Sequence, residues 1–240
     1  MTEEKWSAGP LLETSGSYWK ACALHAGVSL GIFTLIGDDC MRGDEIARES
    51  GWDADGVERL LNALTAMGLL IKQQGEYSNT PESKSLLVKN SPEYIGHIIM
   101  HHHHLVSPWS QLPQAVKSGQ PVRQRSAFGE AEERESFLMG MFNLAMNIAP
   151  RVADQIDLRG RRHFLDLGAG PGTYAIHFCL ANPHLRATLY DLATTRPFAL
   201  HTIERFGLAD RIDFMAGNYV EDEIKGSYDV AWLSHCRFPH

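Results

Sequence analysis

The sequence predicts an α/β protein in which a mainly helical N-terminal part precedes a domain of alternating strands and helices. Two observations lead to this prediction. Over residues 11–100 and 132–148, apolar residues recur at spacings of three and four, which is typical of helices with one buried face. After residue 160, short apolar runs alternate with helical segments, a pattern that favours a parallel sheet.

An apolar stripe opens the helical part. It consists of Tyr18, Ala21, Leu24, Val28, Ile32 and Leu35. Its spacing predicts a buried helical face, although an exposed stripe would also suit an interface between two copies of the chain. Asp44 then precedes a short helix that closes near Gly51.

A longer helix and a hairpin follow. Asp55 is the predicted N-cap of a helix that ends at Gly68. Leu69–Ile71 and Tyr77 flank a polar turn at Gln74–Gly75, which predicts two paired strands. Helices followed by a hairpin form the winged-helix pattern, so this part of the chain is predicted to be a winged-helix domain.

Residues 101–155 are predicted to be a helical connector. Residues 132–148 carry an apolar stripe of core or interface residues, comprising Phe137, Leu138, Met141, Phe142, Ala145 and Met146. The tract His101–His104 allows two interpretations, a metal site or a partly exposed helix or loop near the pocket of a substrate. No Cys, Asp or Glu close by completes a ligand set, so no metal is predicted.

Composition narrows the class of protein. The 240 residues carry a formal net charge of −7, which disfavours nucleic acid and anionic membranes as partners. The four cysteines form no C-x-x-C pair, so a reducing, cytoplasmic environment is expected. We find neither a secretory h-region nor an apolar run long enough to span a membrane, and we expect neither feature.

The motif D-L-G-A-G-P-G, Asp166–Gly172, lies between a predicted strand and a predicted helix. Glycines at 168, 170 and 172 allow a sharp turn and a close approach of the backbone to a ligand. The free N–H groups of the next helix favour an electronegative ligand atom, and ligands of such sheets bind beyond the carboxyl ends of the strands. The glycines could also serve only a tight turn, and Asp166 could be a solvated strand end.

Two further positions favour a nucleoside ligand. Asp191 ends the second strand, about twenty residues after the loop, where a carboxylate can accept hydrogen bonds from both ribose hydroxyls. It could instead be a helix N-cap. Gly217-Asn218-Tyr219 follows the third strand, where a polar side chain can reach an adenine amino group. Thr173 replaces the third glycine of the dinucleotide fingerprint, so the motif fits S-adenosylmethionine (SAM) better.

The chain resembles the plant-type class I O-methyltransferases and their bacterial relatives. The matching stretches are Glu45–Ala47, Arg59–Leu64, Gly68–Leu70, Trp109–Leu112, Phe142–Met146, Asp166–Gly172, Asp191–Leu192 and Asp210–Asn218. The resemblance implies a winged-helix dimerisation domain at residues 1–100, a connector at 101–155 that contributes to the acceptor pocket, and a partial Rossmann-like SAM-binding domain at 156–240. It also implies a homodimer, a hydroxylated small-molecule acceptor and no metal.

The resemblance also assigns roles to single residues. Gly168, Ala169 and Gly170 line the methionine end of SAM, in a loop that ends at Gly172. Asp166, just before this loop, helps to hold the amino end of the methionine part. Asp191 takes the ribose, Leu192 packs on the adenine, and Gly217, Asn218 and Tyr219 flank the adenine. Ser234 lies near the sulfonium. Phe142 and Met146 belong to a helix that closes over the cofactor and the acceptor.

Two positions depart from the family pattern. Asn218 stands where the family has Asp, and its carbonyl oxygen can still accept a hydrogen bond from the adenine amino group. Phe238 stands where the family has its general base, a His; the neighbouring His235 and His240 do not match that position. The chain looks C-terminally truncated against the family. We therefore expect weak SAM binding and poor methylation, with no catalytic residue assigned.

Alternative functions follow from the same features. A noncatalytic SAM-binding or dimerisation protein would fit an incomplete domain. A winged-helix regulator would read DNA with the helix from Asp55 to Met67, which carries Asp55 and Glu58 against Arg59 alone, whereas such helices need positive charge. A dehydrogenase is disfavoured by Thr173.

Overall fold

The structure is a computed structural model that describes residues 6–122 and 129–234 of the chain. It divides into two compact units, Met1–Gln111 and Leu112–His240, each with its own hydrophobic core. Within the described ranges, no helix has the length and apolar character needed to cross a lipid bilayer. The functional boundaries predicted at residues 100 and 155 stay predictions.

The first unit is mainly helical and contains a small antiparallel sheet. Its elements are α1 (Ala8–Gly16), α2 (Tyr18–Ser29), α3 (Ile32–Ile36), β1 (Met41–Arg42), α4 (Gly43–Ser50), α5 (Ala54–Ala66), β2 (Leu70–Gln73), β3 (Glu76–Asn79), α6 (Pro81–Leu87) and α7 (Gly96–Ser110). The sheet order is β1-β3-β2, with Leu70 opposite Asn79 and Met41 opposite Tyr77. The predicted hairpin is confirmed, and β1 adds a strand that was not predicted.

The predicted apolar stripe is divided between two helices. Gly31, at a φ of +68°, separates α2 from α3, so residues on either side of it do not share one helical face. Val28 and Ile32 are buried in the core, but Tyr18 is 58% exposed and Leu35 is 44% exposed. The prediction of one buried face is therefore wrong at both ends.

The ends of α4 and α5 depend on local capping. Gly51 ends α4 at a φ of +73°, and Gly68 follows α5 at a φ of +74°, as predicted. The N-cap of α5 is Asp53, whose Oδ1 accepts a hydrogen bond from the Gly56 amide at 2.8 Å. The prediction of Asp55 as the N-cap is wrong, because Asp55 lies inside the first turn of the helix.

The histidine tract lies on α7, which confirms the prediction of a partly exposed helix. His102 and His103 are exposed, while His101 and His104 are half-buried. The ring of His103 lies 5.6 Å from that of the buried His25 on α2, whose pKa is lowered by burial and then by His103 and His102. Among residues 6–122 and 129–234, no group of three or more potential ligand side chains is arranged to hold a metal ion.

A buried tyrosine joins the hairpin to α5. Tyr77 Oη lies 2.6 Å from Glu58 Oε1 and 2.9 Å from Asn62 Oδ1, and Lys72 Nζ donates to the same two oxygens at 2.7 and 2.9 Å. The hydrogen bond from Lys72, followed by the one from Tyr77, lowers the pKa of Glu58. This network fixes the hairpin on the helix.

Tyr77→Phe is expected to lower the free energy of unfolding by about 1 kcal/mol, because the variant leaves the polar partners of the hydroxyl short of a donor. A carboxylate with a lowered folded-state pKa stabilises the fold above its unfolded pKa and loses this effect as pH falls through the folded pKa. The difference between variant and wild type should therefore shrink in acid. Urea unfolding between about pH 7 and pH 3 measures it. Glu76→Gln, at an exposed residue of the same hairpin, is the control, and an equal loss in both variants would contradict the role of the network.

The second unit is built on a parallel sheet. Its elements are α8 (Leu112–Ser118), α9 (Ala131–Met146), α10 (Ala149–Gln155), β4 (His163–Leu167), α11 (Thr173–Ala181), β5 (Arg186–Asp191), a 3-10 turn (Ala193–Thr195), α12 (Arg196–Arg205), β6 (Ile212–Ala216) and β7 (Val230–Leu233). The strands pair in parallel in the order β6-β5-β4-β7. The predicted alternation of strands and helices is confirmed.

The two faces of this sheet are covered differently. One face packs against α10, α11 and α12, and the ring centroid of Phe164 on β4 lies 4.9 Å from that of Phe178 on α11. On the other face, Leu165, Leu167 and Tyr190 are covered by side chains of the segment 215–228. At the amino ends of the strands, the carboxylate of Asp229 accepts hydrogen bonds from the amides of residues 162 and 163, which fixes β7 against β4.

Candidate functional site

The carboxyl ends of β4, β5 and β6 lie side by side at one edge of the parallel sheet. Leu167 pairs with Tyr190, and Asp191 pairs with Ala216, so the loops that follow the three strands are neighbours. The predicted site residues on those loops, from residue 168 to residue 219, are therefore brought together. This edge is where open α/β sheets bind their ligands.

The glycine loop between β4 and α11 turns through three left-handed residues. Gly168, Gly170 and Gly172 have φ values of 67°, 55° and 81°. A Cβ on Gly172 would lie 2.5 Å from Leu189 Cδ1, whereas a Cβ on Gly170 would meet only Leu138 Cδ2, at 4.0 Å. Close packing against Leu189 therefore accounts for a glycine at position 172. It does not account for the open space beside Gly170. A ligand is able to approach the backbone at that position.

Asp191 connects the second strand to the glycine loop. Its Oδ2 accepts a hydrogen bond from the Gly170 amide at 2.7 Å, and its Oδ1 accepts from the Leu192 amide at 2.7 Å and from Thr195 Oγ1 at 3.0 Å. Asp191 therefore holds both the loop and the turn that follows it. The N-cap of that turn is Leu192, so the interpretation of Asp191 as a helix N-cap is wrong. Three of about four lone-pair positions are used, so one on Oδ2 is left for a ribose hydroxyl.

Asp166 lies beneath the first turn of α11 and is 2% exposed, which excludes the interpretation of a solvated strand end. Its Oδ2 accepts a hydrogen bond from the Ala175 amide at 3.3 Å. Burial raises the pKa of Asp166 to about 7; the Ala175 amide lowers it, and the negative charge of Asp191 raises it further. A carboxyl in this setting gains from a nearby positive charge.

The loop after β6 is held by its own polar groups. The Gly217 amide donates to the carbonyl of Asp191 at 2.9 Å, and a Cβ on Gly217 would overlap the hydroxyl of Tyr190. Asn218 Oδ1 accepts from the Val220 amide at 3.1 Å, which leaves one of its lone pairs for an adenine amino group. Tyr219 packs against the sheet in the cluster that contains Tyr190.

Of the remaining residues singled out in the sequence, Ser234 belongs to the described part of the chain and Phe238 does not. Ser234 follows β7, whose Leu233 pairs with Leu167, so Ser234 lies next to the start of the glycine loop. Phe238, like His235 and His240, lies outside the described residues.

Helix α9 reaches the glycine loop through Leu138, and the predicted role of Phe142 and Met146 in closing over the ligands stays a prediction. Phe142 is buried against Phe206, the residue that caps the end of α12, with ring centroids 6.3 Å apart, and Met146 Sδ lies 3.3 Å from His177 Nε2. Both side chains therefore pack against the outer helices. Leu138, one turn earlier, is the α9 side chain that lies near Gly170.

The side-chain hydroxyls of two threonines at the site were not predicted from the sequence. Thr195 donates to Asp191, and Thr202 of α12 contacts the carbonyl of Pro171 inside the glycine loop. Thr195 could have been suspected, because it follows a strand-ending Asp within one turn. The contact of Thr202 spans 31 residues and had no local signal.

Comparison with known proteins identifies the family. The model of the O-methyltransferase domain matches residues 109–239, which is more than half of the chain, and the model of the O-methyltransferase dimerisation domain matches residues 12–89. The chain belongs to the O-methyltransferase family. Membership confirms the predicted cofactor, S-adenosyl-L-methionine, and the predicted reaction type. It also confirms the fold class, a helical dimerisation domain followed by a Rossmann-like methyltransferase domain.

Individual relatives agree with this assignment. A 3-hydroxy-5-methyl-1-naphthoate 3-O-methyltransferase of Streptomyces sahachiroi is 30% identical over 230 residues, covering 93% of this chain and 67% of the relative. The N,N-dimethyltransferase OxyT of Streptomyces rimosus is 30% identical over 240 residues, covering 95% and 69%. The structure of PigF with SAH has the same fold, with a TM-score of 0.84 at 23% identity, covering 95% and 72%. The O-methyltransferase chain described here thus spans about two thirds of the length of these proteins.

Proposed function

We propose that this chain binds SAM at the carboxyl ends of β4, β5 and β6 and transfers its methyl group to a hydroxyl of a small aromatic molecule. The observation that carries the proposal is Asp191, whose carboxylate holds the Gly170 amide and keeps one acceptor position beside open backbone. SAM, when bound, supplies an electrophilic methyl group on its sulfonium. The residues present fit this cofactor, because they combine acceptors for ribose and adenine with an unobstructed loop.

The proposal assigns one binding role to each loop. The glycine loop and Asp166 hold the methionine part, Asp191 and Leu192 hold the nucleoside, and the loop after β6 flanks the adenine. The cofactor-binding set is Asp166, Gly168, Ala169, Gly170, Gly172, Asp191, Leu192, Gly217, Asn218, Tyr219 and Ser234. Within the chain, residues 1–100 would serve dimerisation, 101–155 acceptor recognition and 156–240 cofactor binding.

The acceptor class is inferred from the relatives. The relative from Streptomyces sahachiroi is named for methylation of a hydroxynaphthoate, which favours a fused aromatic alcohol as the acceptor here. The similarity to OxyT, an N,N-dimethyltransferase, favours an aromatic amine as a second candidate. An amine nitrogen attacks without prior loss of a proton, whereas a neutral phenol requires a base.

Calorimetry with SAM and with SAH, followed by transfer of labelled methyl groups to naphthols, hydroxynaphthoates and aromatic amines, tests the proposal. We expect saturable binding of both nucleosides and methylation within the hydroxylated set. Methylation of the amines alone would show that the acceptor is an aromatic amine and not an aromatic alcohol. Binding without transfer to any compound would favour a noncatalytic SAM-binding protein, and absence of binding would overturn the proposal.

A DNA-binding function has weaker support. The helix that would read DNA is α5, and its Arg59 forms an ion pair with Asp55 at 2.8 Å. Lys72 of the adjacent hairpin is likewise paired with Glu58. These cations are neutralised within the protein, whereas a DNA-binding surface needs free positive charge.

We further propose that the first unit forms a homodimer. Helix α1 has no buried residue, yet it carries Leu11 and Leu12, and Tyr18 and Trp19 follow on α2, all of them mostly exposed. An exposed apolar surface of this kind is typical of a protein–protein interface. The match to the dimerisation domain over residues 12–89 supports a second copy of this chain as the partner.

The double variant Leu12→Glu/Trp19→Glu is expected to convert the dimer to a monomer, because it places charges in an apolar interface. Sedimentation velocity measures the change. Ile71→Glu, at a partly exposed apolar residue of the hairpin, is the matched control and should leave the dimer intact. A monomeric wild type, or a double variant that stays dimeric, would contradict the proposal.

A further inference from the structure

The carbonyl of Pro171 is a buried acceptor at the centre of the glycine loop. Pro171 is buried and lies between Gly170 and Gly172, whose φ values of 55° and 81° are both left-handed. A buried backbone carbonyl needs a hydrogen-bond donor. The neighbouring amides are used elsewhere, since Gly172 N donates to Ala169 O and Ala175 N donates to Asp166.

Thr202 supplies that donor from α12. Its side chain is fully buried, and its Oγ1 lies 2.5 Å from Pro171 O, compared with 2.8 Å from Ala199 O and 3.2 Å from Phe198 O. A threonine inside a helix ordinarily donates to a carbonyl one turn earlier in its own helix. Besides the two carbonyls of its own helix, the Thr202 hydroxyl therefore reaches a third acceptor, which belongs to the glycine loop.

The glycine loop is therefore held from two sides. Asp191, at the end of β5, binds the Gly170 amide, and Thr202 binds the next carbonyl along the chain. Both glycines that flank this carbonyl are backbone pivots, because glycine moves between left-handed and right-handed conformations at little cost. Without the second attachment, the Pro171–Gly172 peptide would be held only by the hydrogen bond from its amide to Ala169 O.

We propose that Thr202 is a positioning residue for the cofactor, fixing the glycine loop in the conformation that accepts SAM. This inference rests on the proposed function, because it concerns the same site. Thr202 itself does not need to touch the ligand. A loop that is already ordered loses less conformational entropy when the ligand binds, so the attachment should appear in the affinity and KM rather than in kcat.

Thr202→Val tests the proposal, because valine matches threonine in shape and lacks the hydroxyl. We expect SAM and SAH to bind about tenfold more weakly, KM for SAM to rise by a similar factor and kcat to stay within about twofold. Amide exchange at residues 168–172 should become faster. Thr202→Ser, which keeps the hydroxyl, should restore most of the affinity.

Thr65→Val is the matched control. Thr65 Oγ1 donates only within its own helix, to Leu61 O at 2.8 Å, and lies in the first unit. It should leave SAM affinity and exchange in the loop unchanged. If Thr202→Val does not fold, Thr202→Ala repeats the test without the buried methyl group.

The outcomes separate the two proposals. Unchanged affinity and unchanged loop exchange in Thr202→Val would overturn the role of Thr202, as would a serine variant no better than valine. If the wild type binds neither SAM nor SAH, the proposed function fails. Loop exchange in that case still shows whether Thr202 orders the glycine loop.

Discussion

Asp191→Ala is expected to weaken SAM binding by about 100-fold or more. The variant removes the carboxylate that we propose binds the ribose, and with it the acceptor that fixes the Gly170 amide. A hydrogen bond to a charged group contributes about 1.5–3 kcal/mol, and a loosened loop adds an entropic cost on binding. Calorimetric titration with SAM and SAH measures the loss, and both ligands should be affected because both carry the ribose.

The control for this variant lies on the next strand of the same sheet. Asp213 of β6 is an exposed carboxylate, so Asp213→Ala changes the charge equally without touching the loops. It should bind SAM within about twofold of the wild type. If Asp191→Ala folds normally and binds SAM as tightly as Asp213→Ala, the carboxylate is not a ribose ligand and the proposed site is incorrect.

Much of the second unit could be predicted because its signals are local. A strand was predicted directly before the glycine-rich turn, and the structure has it at His163–Leu167. The strand ending in Asp191 and the loop at Gly217 followed from the same alternation. Parallel strands bring their carboxyl ends to one edge, so the neighbourhood of the three loops was implied by the element order alone.

The errors concern choices that depend on distant parts of the chain. Asp53 and Asp55 are equally good caps by composition, and only the path of the backbone before α5 decides between them. Apolar periodicity reports that Tyr18 and Leu35 are hydrophobic but not which surface covers them. The position of Leu138 near the glycine loop was not predicted either, because it depends on how α9 is rotated about its axis. No sequence pattern fixes that rotation.

The pH dependence of SAM binding is the second large effect, and it follows from Asp166. The pKa of this buried carboxyl is about 7 in the ligand-free structure, chiefly because burial disfavours the charged form. The ammonium and sulfonium of SAM favour the carboxylate, so binding near neutral pH should release a proton. As the pH increases towards 7, the affinity for SAM is therefore expected to increase by up to about tenfold per pH unit. Above the pKa of Asp166 it should level off.

The stability of the ligand-free protein should change in the opposite direction. A carboxyl whose folded pKa is raised stabilises the fold most fully below its unfolded pKa of about 4, and this stabilisation is lost as pH rises through about 7. Asp166→Asn should remove the contribution of this carboxyl to both pH profiles, while Asp213→Asn should keep it. Calorimetry in two buffers of different ionisation enthalpy counts the proton released. If the affinity for SAM depends on pH equally in the wild type and in Asp166→Asn, Asp166 does not take part in cofactor binding. If affinity rises and stability falls with increasing pH only in the wild type, one buried carboxyl governs both.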